Sequence, residues 1–301
     1  MHGKGKIAVN LMLLATSLMY GTSYAYRKTA LTHIGPFLFN ACRFFLGFLG
    51  LFVFYLISER IKKNEGKADV GYKPVKWQVQ RASLLGLIFS VGVTIQQLGL
   101  ITSSAGKCGF ITTLYIFFTP IISWLILKKH ISAKTWVGAT IAVTGLFFIS
   151  AGNNFGIVAG DVLFLLTAIL FAIHIILIGR YVNNSNPILL VMVQMLICAV
   201  FSAILFLLFE GGNILAGFVV ALWPILYTGL FSVAVGNVLQ FTAQKRASPS
   251  ITAIILSFES VFAAVFAAII ISERMNLLQI TGCALIFSAI IISQVEYKSK
   301  S

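Results

Sequence analysis

The chain has 301 residues, of which 59% are hydrophobic and 10% are charged, and its mean hydropathy is +0.97. A soluble domain carries about a quarter charged residues, so these values exclude an ordinary soluble fold and indicate an integral membrane protein. The net charge of +14, from 22 Lys and Arg against 8 Asp and Glu, would suggest nucleic acid in a soluble chain. Here the basic residues lie mostly between apolar runs, which indicates membrane topology and no nucleic-acid partner.

Ten apolar runs are long enough to cross a bilayer as helices, since about 20 helical residues span its hydrocarbon layer. The runs are continuously apolar, unlike the alternating strands of a membrane barrel, so we predict an all-α integral membrane fold with ten transmembrane helices. In chain order the predicted spans are residues 7–26, 36–58, 82–101, 108–127, 135–151, 161–179, 187–209, 218–241, 250–272 and 277–295.

The basic residues between the spans predict the orientation. With a cytoplasmic N-terminus, seventeen of the 22 basic residues lie on the cytoplasmic side, among them those of a long solvated loop at residues 59–81. Four lie outside, namely Arg27, Lys28, Lys107 and Arg274, and Arg43 lies within the second span. The positive-inside rule therefore places both termini in the cytoplasm. We expect a multi-pass protein of a cell membrane, the inner membrane in a bacterium.

The sequence lacks the motifs of metal, redox and hydrolytic chemistry. Its four cysteines stand singly in apolar surroundings, without the close pairs of a zinc or redox site. No GxSxG, HExxH or Walker loop is present, so an ATP-driven pump would need a motor from another subunit. We therefore expect no metal, no cofactor and no catalytic residue.

Residues 1–151 and 152–301 show a weak internal similarity. At an offset of 151, Pro36 at the start of the second span falls on Pro187 at the start of the seventh; at an offset of 144, Gly138 falls on Gly282. Each half has five spans, an odd number, so the second half enters the membrane from the opposite side. Inverted five-helix repeats are typical of secondary transporters, which bind substrate near the midplane between the halves.

Short motifs follow one another in a recognisable order. The first half carries Gly99-Leu100, residues 102–106 (TSSAG), residues 109–112 (GFIT), Thr119-Pro120 and Gly138. The second half carries Gln240, residues 244–246 (QKR), residues 248–250 (SPS), Glu259, residues 272–274 (SER) and Gly282. Over nearly its whole length the chain resembles EamA-type transporters of the drug/metabolite transporter superfamily. The resemblance implies gradient-driven, often proton-linked movement of small metabolites, commonly export of amino acids, related solutes or toxic compounds.

Two positions depart from the family pattern. The family usually has proline after the glutamate of the ninth helix, where this chain has Ser260, and this leaves open whether the ninth span is kinked. The family often has an acidic residue after the fourth helix, where this chain has Lys129, so that loop is more basic here.

Two charged residues lie deep in predicted spans, where a charge costs roughly 2.5 to 3.5 kcal/mol. At a rise of ~1.5 Å per residue, Arg43 is about 10 Å and Glu259 about 14 Å from opposite surfaces, so their side chains could form a pair. In the repeat, Gln194 occupies the position equivalent to Arg43, and Tyr115 occupies the position equivalent to Glu259. We interpret both charges as cavity groups that meet substrate or protons; a structural pin or a lipid-snorkelling residue is the alternative.

Several uncharged polar residues are further candidates for a substrate or proton pathway. His174, in the sixth span, is interpreted either as a proton relay or as a helix-to-helix hydrogen bond. Pro120 frees a backbone carbonyl in the fourth span and is predicted to kink a helix that lines the path. The remaining candidates, each with helix packing as the alternative, are Tyr20, Tyr24, Gln96, Asn237 and Gln240.

The leading hypothesis is a secondary active transporter that exports small metabolites by alternating access between the two halves. Its expected partners are the lipid bilayer and a small-molecule substrate, with proton coupling as an open alternative. A membrane-embedded enzyme that uses Glu259 or His174 as acid or base, and a non-transporting scaffold, are the competing hypotheses.

Overall fold

A computed structural model of the chain describes residues 3–64, 71–103, 105–128, 133–151, 158–211, 215–270 and 277–295. These residues contain helices and no strand, so the predicted all-α class is confirmed. The helices are α1 (Gly3–Ala30), α2 (Pro36–Asn64), α3 (Val75–Thr102), α4 (Ala105–Thr112), α5 (Tyr115–Leu127), α6 (Ala133–Ala151), α7 (Ala159–Tyr181), α8 (Pro187–Phe209), α9 (Leu215–Tyr227), α10 (Asn237–Gln244), α11 (Pro249–Leu256), α12 (Phe258–Ile270) and α13 (Leu277–Val295). A π-helix (Thr228–Gly236) joins α9 to α10.

Each predicted span coincides with a helical segment of the described chain. Eight segments are long and apolar enough to cross a membrane, and two shorter apolar stretches, Trp136–Gly145 and Ile280–Ala289, lie in α6 and α13. Most spans are single helices. The fourth span consists of α4 and α5, the eighth of α9, the π-helix and α10, and the ninth of α11 and α12.

Two helical regions extend beyond the predicted spans. The helix α1 continues to Ala30, because no glycine or proline follows residue 26 before Gly35-Pro36. The predicted loop at residues 59–81 is largely helical, since α2 continues to Asn64 and α3 begins at Val75. Lysine, arginine and glutamate are good helix formers, so a run of charge ends the apolar span without ending the helix. Residues 65–70, Lys129 and residues 272–274 lie outside the described residues.

The ninth span is interrupted at Ser257, directly before α12. The Ser257 hydroxyl donates to the carbonyl oxygen of Ile254 across 2.6 Å, and the Ser260 hydroxyl donates to that of Ser257 across 2.7 Å. Such bonds from serine side chains to nearby carbonyls compete with helical hydrogen bonding. The span is therefore interrupted although position 260 is not proline.

The fourth span is interrupted at Thr113 and Leu114, between α4 and α5. The Thr113 hydroxyl donates to the carbonyl oxygen of Gly109 across 2.5 Å, again a side-chain bond to the backbone. Pro120 lies inside α5, which continues through it, and the kink predicted there stays a prediction.

Small residues bring particular helices into close contact. The helix α1 packs against α12 at Gly21, where an added Cβ would lie 2.5 Å from the backbone oxygen of Glu259. The fifth and tenth spans, α6 and α13, meet at Gly145, where an added Cβ would lie 2.6 Å from the backbone oxygen of Gly282. Close approach of this kind is how helices associate within lipid. The close contact at Gly21 holds Glu259 beside α1.

Apolar side chains face outward and many polar side chains face inward. Leu207 and Val219 are both 76% exposed, whereas Asn40, Gln97 and Thr112 are fully buried. This pattern suits a chain whose outer surface contacts hydrocarbon, because polar groups there would lose their hydrogen bonds. The polar interior is therefore the place to look for a site.

Candidate functional site

A cavity of about 70 Å³ lies among helices from both halves of the chain. The cavity is lined by Tyr20, Ser23, Tyr24, Arg27, Arg43, Phe44, Phe89, Val93, Gln96, Tyr115, Phe171, His174, Ile175, Ser232, Val233, Asn237, Gln240, Leu256 and Glu259. Nine of the eleven site residues predicted from the sequence are in this lining; Pro120 and Gln194 are not.

Glu259 is the acidic residue of the cavity lining, and two tyrosines hold its carboxylate. Tyr24 donates to Oε1 across 2.5 Å and Tyr115 donates to Oε2 across 3.3 Å. The residue is buried in the first turn of α12, immediately after the interruption at Ser257. The N-terminus of a helix favours a carboxylate, because its free backbone N–H groups carry partial positive charge.

A chain of hydrogen bonds connects Glu259 to Arg27. Gln96 Nε2 donates to the Tyr24 hydroxyl across 3.2 Å, and Arg27 donates to Gln96 Oε1 across 2.8 Å. The other guanidinium nitrogens of Arg27 donate to Gln97 Oε1. Each guanidinium nitrogen of the buried Arg27 thus donates to a neutral amide, and the carboxylate is connected to Arg27 through a phenol and an amide.

Arg27 does not lie in a connection between helices, because α1 continues past it and the structure buries its side chain with 4% exposure. The apolar run does end at residue 26, but α1 does not. The signal that could have revealed this is the absence of a helix breaker before Gly35-Pro36. The helix therefore carries the Arg27 side chain along the inner face of α1.

Arg43 is a second buried guanidinium in the cavity lining, with 3% exposure. Its Nε donates to Asn40 Oδ1 across 3.0 Å. Its charge lies 4.6 Å from the ring centre of Phe44 and 5.5 Å from that of Phe39, which is within cation–π range. In the described part of the chain, Arg43 and Glu259 form no ion pair. The pair that the helix depths allowed is therefore not made.

His174 lies between the cavity and the seventh span. Its Nε2 is 2.9 Å from Gln194 Oε1, which is the helix-to-helix hydrogen bond considered from the sequence. The imidazole also stacks on Phe89 at 4.9 Å between ring centres. Gln194 therefore orients a residue of the cavity lining from behind it, and the proton-relay role of His174 stays a prediction.

Tyr20 and Gln240 begin a second polar chain. Tyr20 donates to Gln240 Oε1 across 2.9 Å, and Gln240 Nε2 donates to Gln244 Oε1 across 3.3 Å. Gln244 in turn donates to the carbonyl oxygen of Ile175 across 2.9 Å. This chain connects α1, α10 and α7. A buried acceptor nearby, Oδ1 of Asn237, has no partner within the described residues, so the cavity keeps an unfilled hydrogen-bonding position.

Known proteins resemble this chain over nearly all of its length. A model of the EamA-like transporter family matches residues 7–151 and again residues 158–294. A protein of Archaeoglobus fulgidus named an uncharacterized transporter is 31% identical over 291 residues, covering 97% of this chain and 87% of that protein. The uncharacterized transporter YvbV of Bacillus subtilis is 25% identical, covering 98% of this chain and 94% of that protein.

A solved structure also resembles this chain. This crystal structure gives a TM-score of 0.76, covers 97% of this chain and 99% of its own, and is 16% identical in sequence. At that identity the likeness concerns the fold alone.

Proposed function

Because this chain belongs to the EamA-like transporter family, and is thus a multi-pass membrane transporter, we propose that it exports small metabolites such as amino acids or related solutes by alternating access. The observation that carries the proposal is the buried polar cavity, in which side chains from the first and last five spans bond to each other. Two of these bonds join Tyr24 and Tyr115 to the carboxylate of Glu259. Family membership favours this function over a membrane-embedded enzyme or a scaffold.

The proposed moving units are residues 1–151 and 152–301, as two inverted five-helix repeats. The family model matches each half separately, which supports a repeat. The helix contacts support it too. The second span packs on the seventh, and the fifth span packs on the tenth. The third span packs on the sixth, and its counterpart in the second half, the eighth span, packs on the first. A two-fold axis between the repeats would map each span of the first half onto the span five places later, and it would leave this set of contacts unchanged.

The bonds across the cavity are the ones that alternating access would rearrange. Tyr24 and Tyr115 in the first half bond to Glu259 in the second, and Tyr20 bonds to Gln240. Transporters of this architecture rock one repeat against the other around a central site. Breaking one set of these bonds and keeping the other would open the cavity on one side only.

Proton coupling is assigned in this proposal to Glu259. A carboxyl group can bind and release a proton, and this one is the acidic residue of the cavity lining. Its two phenolic partners carry no charge at neutral pH, so either protonation state leaves them in place as hydrogen-bonding groups. His174 is the second candidate on the same path.

The proposed orientation has both termini in the cytoplasm, with the protein in the inner membrane of a bacterial cell. It rests on the distribution of basic residues, since the cytoplasmic side then receives seventeen of the 22. In this orientation the C-terminal end of α1, just after Arg27, lies outside the cell.

The test is solute flux in proteoliposomes that contain the purified protein, under an imposed pH gradient. Radiolabelled amino acids and other small metabolites are supplied one at a time, and counterflow against the same unlabelled solute is measured. We expect saturable flux of at least one solute that follows the proton gradient. Liposomes without protein are the control, and absence of flux for every solute would contradict the proposal.

A further inference from the structure

Arg43 is a buried cation whose terminal nitrogens have no acceptor among the described residues. Only its Nε is engaged, by Asn40 Oδ1 at 3.0 Å. Arg27 differs, since all three of its nitrogens donate to the amides of Gln96 and Gln97. A buried charge with unused donors is costly unless a partner binds it. The partner that Arg43 lacks in the protein can come from the cavity, which it lines.

The unused donors have the geometry of an anion site. Two guanidinium nitrogens on one side of a planar fork bind the two oxygens of a carboxylate in parallel. The Nε bond to Asn40 and the contact with the Phe44 ring at 4.6 Å fix the orientation of the fork before any ligand arrives. A preorganised fork of this kind selects for planar anions and loses little conformational entropy on binding.

An aromatic surface adjoins the Arg43 site. Phe44 meets Phe89 edge to face at 6.1 Å, and Phe89 stacks on Phe171 at 5.5 Å and on His174 at 4.9 Å. All four rings belong to the cavity lining. An apolar or aromatic ligand body would pack against these rings while its charged end reaches Arg43.

We propose that Arg43 binds the carboxylate of a small organic acid with an apolar body, and that this carboxylate defines the substrate class. The inference rests on the proposed transport function and narrows it. One carboxylate supplies one negative charge, which balances Arg43 while Arg27 keeps its amide partners. Glu259 is left to its two tyrosines, so the anion site and the candidate proton site are separate.

The test compares two probes of equal shape that differ in charge, namely 3-phenylpropionate and 3-phenylpropanamide. Binding to the detergent-purified full chain is measured by calorimetry at fixed pH and ionic strength. We expect the acid to bind about tenfold or more tighter than the amide, as a charge-assisted bidentate contact requires. Equal binding of acid and amide would overturn the proposal.

Variants assign the preference to one guanidinium. Arg43→Gln is expected to abolish the difference between acid and amide, and Arg43→Lys to reduce it several-fold, because lysine keeps the charge without the fork. The matched control is Arg81→Gln, since Arg81 also lies over two rings, those of Trp77 and Tyr181, but outside the cavity lining. An acid preference unchanged in Arg43→Gln, or unchanged in Arg43→Lys where the Gln variant does not fold, would overturn the assignment.

Flux measurements separate this inference from the transport function. If proteoliposomes carry neutral solutes and show no preference for acids over amides, the anion site is wrong and transport stands. If the acid binds at Arg43 and no solute is carried, the transport proposal fails and the binding site stands.

Discussion

Tyr115 donates a hydrogen bond to Oε2 of Glu259, the residue that lies 144 positions later in the chain. This separation is also the offset that superimposes Gly138 on Gly282, so the two bonded residues occupy equivalent positions in the proposed repeats. Each lies in the first turn of a helix that follows an interruption, α5 in one half and α12 in the other. Residues related by a two-fold axis contact each other only near that axis. The inverted-repeat arrangement would therefore place Glu259 close to the axis, where both halves act on it.

The first prediction concerns the carboxyl group of Glu259. Glu259→Gln removes the titratable proton and keeps the shape and one acceptor oxygen for the tyrosines. We expect the flux driven by a pH gradient to collapse, and any residual counterflow to become independent of pH. The measurement is flux in proteoliposomes across a range of pH, after size-exclusion chromatography shows a folded protein.

A matched control for this substitution is Glu59→Gln. Glu59 pairs with Lys62 at 2.8 Å in a partly exposed position outside the cavity lining, where ion pairs contribute little. This variant should transport like the unmodified protein. Equal pH dependence in Glu259→Gln and the unmodified protein would reduce Glu259 to a structural residue.

The second prediction concerns the phenol of Tyr24. Tyr24→Phe removes the donor to Glu259 Oε1 and one of the two acceptors of Gln96 Nε2, which keeps its bond to Thr112. We expect a loss of about 1 to 3 kcal/mol in stability, seen as a lower midpoint of thermal unfolding in detergent. Tyr26→Phe is the control, because the Tyr26 ring packs on Tyr227 at 4.7 Å and its hydroxyl has no bond within the described residues. Equal midpoints for the two variants would show that the Tyr24 bond adds no net stability.

The third prediction concerns the contact of α1 with α12. Gly21→Ala would place a Cβ 2.5 Å from the Glu259 backbone oxygen and 2.7 Å from the Phe262 Cβ, so the helices must separate. We expect a destabilisation of about 1 to 3 kcal/mol, as for other overpacked cores, together with reduced flux. At Gly50 an added Cβ meets only the flexible end of Leu230 at 3.3 Å. Gly50→Ala is therefore expected to be neutral or slightly stabilising, and a similar midpoint for both variants would argue against close packing at Gly21.

The fourth prediction concerns orientation. A green fluorescent protein fused after Ser301 should be fluorescent, and alkaline phosphatase fused at the same position should be inactive, because the C-terminus is proposed to be cytoplasmic. The matched fusion partner is phosphatase joined after Thr32, between α1 and α2, which should be active. Active phosphatase after Ser301 would reverse the topology.

Some features of this protein follow from local properties of its sequence. Each span is recognisable from about 20 consecutive apolar residues, because the bilayer imposes that length on any helix that crosses it. The family likewise follows from the order of short motifs along the chain. Most cavity residues were also predictable, since a polar side chain such as Gln96 or Glu259 within an apolar span needs a polar surrounding.

The tertiary structure alone decided which of these residues are partners. Tyr24 bonds to Glu259 across 235 positions of the chain, and no local pattern can specify such a pair. Helix depth allowed Arg43 to reach Glu259, but its guanidinium bonds to Asn40 and lies over Phe44, both on its own helix. Arg27 lines the cavity because α1 continues beyond the apolar run that ends at residue 26. Depth and hydropathy are one-dimensional properties, whereas hydrogen bonding depends on the azimuth of each side chain around its helix, which is set by packing against the other spans.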